Sequence, residues 1–185
     1  MMNRRDVLKN STLLLGYGLT AGTTMAVLKG CKADPSIDWN PNNLTVSQAV
    51  LVAEMAEMII PKTLTPGAKD ALVDRYIDAI LDCYTSEEIE DFKMRLDAFD
   101  TQSKKLQGGR FYALDGGKRK TMMDWLFEDS KGQKRDHLFH RMREWTVTGY
   151  CESEAGATEH LEWNPVPGPF RGCIDFEEVG KTWAI

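Results

Sequence analysis

His137 and His140 stand three residues apart on a stretch with helical spacing, so both imidazoles could face one metal ion. No carboxylate or cysteine stands at an obvious third-ligand spacing, and the pattern reads as two histidines on an amphipathic helix. Glu152 and Glu154 flank Ser153, and paired carboxylates are the raw material of acid–base catalysis. Their setting beside Gly149 reads instead as a solvated turn. The chain has no G-x-S-x-G, H-E-x-x-H, P-loop or G-x-G-x-x-G, and Gly108-Gly109 and Gly116-Gly117 are turn glycines by context. The cysteines are Cys31, Cys83, Cys151 and Cys173, and none offers the C-x-x-C-H of a haem attachment. No catalytic, cofactor-binding or metal-ligating residue is therefore expected in this chain.

The elements that would position such residues belong to one ordinary domain. The chain has 185 residues, a net charge of −5, 42% hydrophobic and 28% charged residues, a soluble globular balance. The acidic excess argues against nucleic acid as a partner, since phosphate contact needs a basic face. The length is also short for a whole dinucleotide enzyme.

The N-terminus differs from the rest. Residues 1–31 carry Arg4, Arg5, Lys9 and Lys29 against Asp6 alone, a net of +3 that leaves −8 for the remainder. A moderately apolar run follows, diluted by Gly16, Gly18, Gly22 and three threonines, too weak for a stable membrane span. Adjacent Arg4 and Arg5, two residues, then Leu8-Lys9 look like a twin-arginine export signal, which carries folded cargo to the periplasm. Leu28-Lys29-Gly30-Cys31 looks like a lipoprotein cleavage box with Cys31 as the acylated residue, although Lys29 fits it poorly. With Cys31 acylated, Cys83, Cys151 and Cys173 leave either one disulfide and an odd thiol or three buried thiols.

Residues 32–44 hold Pro35 and Pro41 around Trp39 and read as a linker or extended arm. Thr45-x-x-Gln48 is a capping box opening a first helix that Pro61 stops. A second helix is expected over 68–84, and a third after the capping box Thr85-x-x-Glu88, ending at Gly108. Asp115 caps a fourth over 118–128, and a fifth is expected over 134–148. Beyond Gly149, four glycines and three prolines separate the aromatics, and no strand pattern appears. The expected architecture is all-α: a helical domain over 45–148 of about five helices, and an irregular tail over 149–185. A structureless stretch that long usually lies on something.

Two long stretches carry a resemblance. One runs Ala56-Glu57-Met58-Ile59-Ile60-Pro61-Lys62-Thr63-Leu64-Thr65-Pro66-Gly67-Ala68 and leads to Asp82-Cys83-Tyr84. The other is Thr148-Gly149-Tyr150, then Ser153-Glu154-Ala155-Gly156-Ala157, continuing through Asn164-Pro165-Val166-Pro167-Gly168-Pro169-Phe170-Arg171-Gly172-Cys173. With the twin-arginine start and Gly180-Lys181-Thr182-Trp183-Ala184, the chain resembles the gluconate 2-dehydrogenase subunit 3 family.

That resemblance implies a non-catalytic small subunit of a periplasmic sugar or sugar-acid dehydrogenase. Glucoside 3-dehydrogenases also use small subunits of this type. FAD would sit in a large partner subunit of the glucose–methanol–choline type, and haem c in a cytochrome that receives the electrons. The small subunit would help the flavoprotein fold and leave the cytoplasm, with membrane association through lipid or partner. A Cys83–Cys173 disulfide is implied as well. Trp39, Tyr150, Trp163, Pro167, Phe170 and Trp183 are the residues expected to bury against the partner. The contrasting reading is a free-standing exported protein that binds a sugar, with Trp145, Tyr150 and Trp163 stacking on it.

Overall fold

The computed structural model describes residues 36–184 apart from Pro167 and Phe170. Arg4, Arg5, Cys31, Pro167 and Phe170 lie outside the described residues.

Helix α1, Val46–Ile59, opens at the expected capping box. The Gln48 amide donates to Thr45 Oγ1 at 3.3 Å, and the Thr45 amide donates to Gln48 Oε1 at 3.1 Å. Leu51, Val52, Met55 and Ala56 are buried, and apolar residues spread round most of the helix. A helix apolar on most sides must be surrounded. α1 accordingly touches α2, Val73–Ile80; α3, Ser86–Gln107; α4, Gly116–Ser130; and α5, Leu138–Glu152. Short 3-10 turns at Leu81–Cys83 and Phe111–Ala113 complete the bundle, and the described residues form no strand.

The caps at Thr85 and Asp115 are also as expected. Around α1 the core closes through Ile77, Leu81, Leu96, Phe99, Phe111, Met122, Leu126 and Met142, all nearly or fully buried. Each such side chain contributes about 1.5–3 kcal/mol relative to exposure. Trp145 packs edge-on to Tyr84 and Phe92, with ring centroids 5.4 and 5.0 Å away.

The helix bounds differ most from expectation at α2 and α5, and α4 is longer by two residues at each end. α2 begins at Val73 rather than residue 68. Residues before it form turns, and Leu72 adopts a left-handed φ of 54°, which ends one helical turn and redirects the chain. The redirection lets Ala68 and Val73 both enter the core. α5 starts at Leu138, capped by His137, whose Nδ1 accepts from the Phe139 amide at 3.2 Å. It then runs through Gly149 to Glu152. Gly149 is thus not a stop: a Cβ there would meet the Tyr76 ring at 2.4 Å. The glycine is present because α2 and α5 approach closely at that point.

The arm is not free. Asp78, itself buried, accepts backbone N–H groups from Asn42 at 2.7 Å, Asn43 at 3.1 Å and Leu44 at 2.9 Å. Arg75 lies 5.7 Å from the centre of the Trp39 ring and reaches Asp38 at 3.1 Å. Trp39 therefore packs in part on the chain's own α2 and stays half-buried. Burial pushes the neighbouring Asp74 carboxyl above its ordinary value, against the opposing pull of the Arg75 amide and the Trp39 indole.

The region after residue 149 is more ordered than an irregular tail. Beyond α5, Gly156–His160 form a π-helical turn, and Phe176–Val179 form α6. Glu162 and Trp183 pair as a parallel bridge. The Glu162 amide donates to the Thr182 carbonyl at 2.8 Å, and the Ala184 amide to the Glu162 carbonyl at 2.9 Å. The segment between is therefore a loop closed at its base.

Replacing Asp78 by Asn puts an NH2 group against one of the three arm amides and leaves a buried donor without an acceptor. The expected loss is about 1–3 kcal/mol. It would be read as a lower urea midpoint at unchanged slope.

Candidate functional site

The two sequence stretches that carry the resemblance meet in space. Tyr150 is buried, and its hydroxyl donates to the Pro66 carbonyl at 2.7 Å, across 84 residues of sequence. A buried hydroxyl needs a partner, and this one ties the end of α5 to the loop between α1 and α2. Tyr150 is thus a structural link within the chain, which corrects its expected place at a partner interface.

Glu57, on the last turn of α1, fixes the same loop. Its Oε1 accepts from the Lys62 amide at 2.9 Å and its Oε2 from the Lys69 amide at 3.0 Å. The Ala68 amide donates to the Ile60 carbonyl at 2.9 Å, and the Thr63 amide to the Thr65 carbonyl at 3.0 Å. Gly67 is required by space, since a Cβ would lie 2.6 Å from both Glu57 Oε1 and the Lys62 nitrogen. Lys62 Nζ pairs with Asp70 at 2.8 Å. The Lys62 hydrogen bond holds the Asp70 carboxyl below its ordinary range, and the Asp70 hydrogen bond raises the Lys62 ammonium. The carboxylate's contribution is complete above the ordinary range and is lost as pH falls through the depressed value. The lysine's is complete below its ordinary range and is lost as pH rises through the raised value. The pair is exposed, so this is a local fastening and not a source of global stability.

The second stretch is built as tightly. Ser153 Oγ donates to the Tyr150 carbonyl at 2.7 Å and accepts from the Gly156 amide at 3.0 Å. A Cβ on Gly156 would stand 1.8 Å from the Tyr150 carbonyl oxygen, so only glycine passes there. His160, at the end of the π turn, meets the Tyr150 ring edge-on at 5.7 Å. Lys62–Pro66, Asp70, Ala155 and Glu159 then line one shallow cleft of about 390 Å³.

From this joint the C-terminal loop departs. Trp163 is 59% exposed, Phe176 67% and Trp183 42%, and Val166 and Ile174 are exposed as well. No residue from Trp163 to Ala184 among those described is buried. Trp163 and Trp183 are thus outside the chain's own core, while Trp39 and Tyr150 are inside or against it. The sugar-stacking set is not assembled, because Trp145 and Tyr150 are buried and only Trp163 faces solvent.

The remaining candidates resolve as follows. His137 Nε2 lies 3.2 Å from Asp129, and with Nδ1 accepting a bond it is Nε2 that carries the proton. His140 Nε2 lies 3.2 Å from the Ser130 carbonyl oxygen. The two rings thus fasten the α4–α5 connection. Burial pushes the Tyr76 hydroxyl above its ordinary value, and the Glu152 carboxylate acts in the same sense. Cys83, Cys151 and Cys173 are free thiols, so the Cys83–Cys173 bridge implied by the resemblance is not formed. Cys83 ends the 3-10 turn beside the bundle, whereas Cys173 stands in the exposed loop. Sequence periodicity missed the roles of Glu57, Tyr150 and Gly67, because each acts through a contact distant in the chain.

The family model for gluconate 2-dehydrogenase subunit 3 matches residues 46–168, which span the whole bundle, the first resemblance stretch and the second as far as Gly168. No curated protein and no solved structure matches the chain.

Changing Tyr150 to Phe keeps the ring packing and removes the bond to Pro66. The expected cost is about 1 kcal/mol. Amide exchange at residues 67–69 should accelerate while exchange in α3 is unchanged, as measured by hydrogen exchange with mass spectrometry.

Proposed function

The chain belongs to the gluconate 2-dehydrogenase subunit 3 family, and from that premise we propose that it is the non-catalytic small subunit of a periplasmic FAD-dependent dehydrogenase. The partner in this reading is a large flavoprotein subunit of the glucose–methanol–choline type, which takes a hydride from a sugar or sugar-acid carbon onto its flavin. A c-type cytochrome receives the electrons. Glucoside 3-dehydrogenase and gluconate dehydrogenase chemistry both fit a subunit of this kind. The small subunit assists folding, stability and export of the flavoprotein. Arg4 and Arg5 supply the twin-arginine signal, and Cys31 is the proposed site of acylation.

One observation carries this reading: the aromatic groups of the C-terminal loop lie uncovered on a loop whose base is closed. Large apolar side chains grouped on a surface mark a site that another body covers. Trp is among the residue types that most often carry the energy of such contacts. The loop's backbone is partly ordered before any partner arrives, through the Glu162–Trp183 bridge and the Arg171–Glu178 pair at 2.6 Å. Ordering in advance lowers the entropic cost of association. The negative balance of residues 32–185 suits a partner with a basic docking surface.

A chain ended after His160 keeps every buried hydrophobic residue among those described, the last of which is Tyr150. Its thermal midpoint should stay within a few degrees of the full chain's. Co-expressed with the flavoprotein subunit, it should fail to bring down a flavin-containing complex, whereas the full chain does so. Equal recovery of yellow complex by both forms would contradict the proposal.

A further inference from the structure

The connection between α4 and α5 and the start of α5 carry charge opposite to the rest of the chain. We propose that Arg135 and Arg143, with Gln133 and Thr148 beside them, form a cleft for an oxyanion, a phosphate or carboxylate group borne by a small molecule or by a lipid head group. The site is separate from the C-terminal loop and does not need the accessory-subunit reading.

Residues 131–143 hold Lys131, Lys134, Arg135, Arg141 and Arg143 against Asp136 alone, a net of +4. They belong to a stretch, residues 32–185, that sums to −8. A local excess of one sign focuses its field in whatever concavity it lines. Elimination then singles out two side chains. Among the described residues, Arg75, Arg95, Arg110, Arg119 and Arg171 each pair with a carboxylate. Arg141 lies over the Tyr84 and Trp145 rings, 5.3 and 5.6 Å from their centres. Arg135 and Arg143 are the described arginines left without a partner, and both line one cleft of about 440 Å³.

Two elements build that cleft. The connection supplies Gln133 and Arg135, and α5 supplies His140, Arg143, Val147 and Thr148 from one helical face. The connection is fastened beside that face by groups other than the arginines. The Gln133 amide donates to the Ser130 carbonyl at 3.0 Å, and the His137 amide to the Lys134 carbonyl at 3.0 Å. His140 Nε2 donates to the Ser130 carbonyl at 3.2 Å. The fold thus brings two guanidinium groups to one cleft and leaves both free.

A guanidinium presents a planar fork of N–H donors that matches two oxygens of a carboxylate or phosphate. The Gln133 amide and the Thr148 hydroxyl add neutral donors to the same wall. Glu144 is the one acid in the lining, so with His140 neutral the wall carries a net single positive charge. That balance suits one anionic group, and the Glu144 carboxylate can accept a hydroxyl that the ligand carries beside it. The volume falls in the range of small-molecule sites, about 300–1,000 Å³. Val147, 44% exposed, offers the body of the ligand an apolar contact.

The test uses the full chain with Cys31→Ser, so that no acyl chain contributes. One arm titrates inorganic phosphate by calorimetry. The other measures co-sedimentation with phosphatidylglycerol vesicles, with net-neutral phosphatidylcholine vesicles as reference. Arg135→Gln and Arg143→Gln should each weaken binding about tenfold, as expected for loss of hydrogen bonds to a charged group. Arg143→Lys should recover little of that loss, because an ammonium lacks the fork. Lys105→Gln removes the same charge elsewhere and should leave binding within about twofold, since distant exposed charges are screened. The thermal midpoints of all four variants should match the parent's. Saturable phosphate binding with these losses supports a small-molecule source, and binding to phosphatidylglycerol vesicles alone with the same losses supports a lipid head group. No binding in either arm overturns the site. Binding that survives both arginine substitutions, or that falls equally with Lys105→Gln, also overturns it, because net charge alone would then account for the attraction.

Discussion

The Tyr150 hydroxyl on the Pro66 carbonyl is the joint on which the arrangement of this molecule turns. It connects the last long helix to the loop after the first, 84 residues apart. Without a partner inside the protein that hydroxyl would carry a desolvation cost of about 1–3 kcal/mol. The bond therefore fixes where α5 ends relative to α1. It also fixes where the π turn starts, because Ser153 and Gly156 both hydrogen-bond or pack against the Tyr150 carbonyl. The aromatic loop proposed for binding hangs from that one tyrosine through the π turn.

The chain sorts its aromatic residues by position. Tyr84, Phe92, Trp145, Phe99 and Phe111 pack edge-on or tilted against each other within the bundle. Trp163, Phe176 and Trp183 stay outside it. A free-standing protein gains by burying such groups, since each indole or phenyl ring removes a large apolar area from water. The helical domain is complete without them, with its core closed by Tyr150. Their exposure is best understood as surface held in reserve for another subunit, which agrees with membership of a family named for the third subunit of a dehydrogenase.

Much of the fold was legible in the sequence because its signals are local. The capping boxes at Thr45 and Thr85 and the cap at Asp115 each act within four residues, and all three form as read. What escaped depends on distant contacts. Gly149 resembles a helix stop but is a place where the Tyr76 ring needs room. Leu72 turns the chain with no glycine or proline to announce it. Trp39 and Tyr150 have the composition of interface residues, yet Arg75 and Pro66 claim them. An aromatic side chain states how much area it can bury and not which surface buries it. The closed base of the C-terminal loop was likewise hidden, since a single bridge between Glu162 and Trp183 leaves no alternating pattern.

The most direct measurement compares hydrogen exchange along residues 161–184 in the free chain and in the complex with its flavoprotein. The account predicts fast exchange in the free chain and strong protection of that segment on binding, with the outer face of α3 unchanged. Protection confined to α3 or α4, with the C-terminal loop exchanging as fast as before, would contradict it.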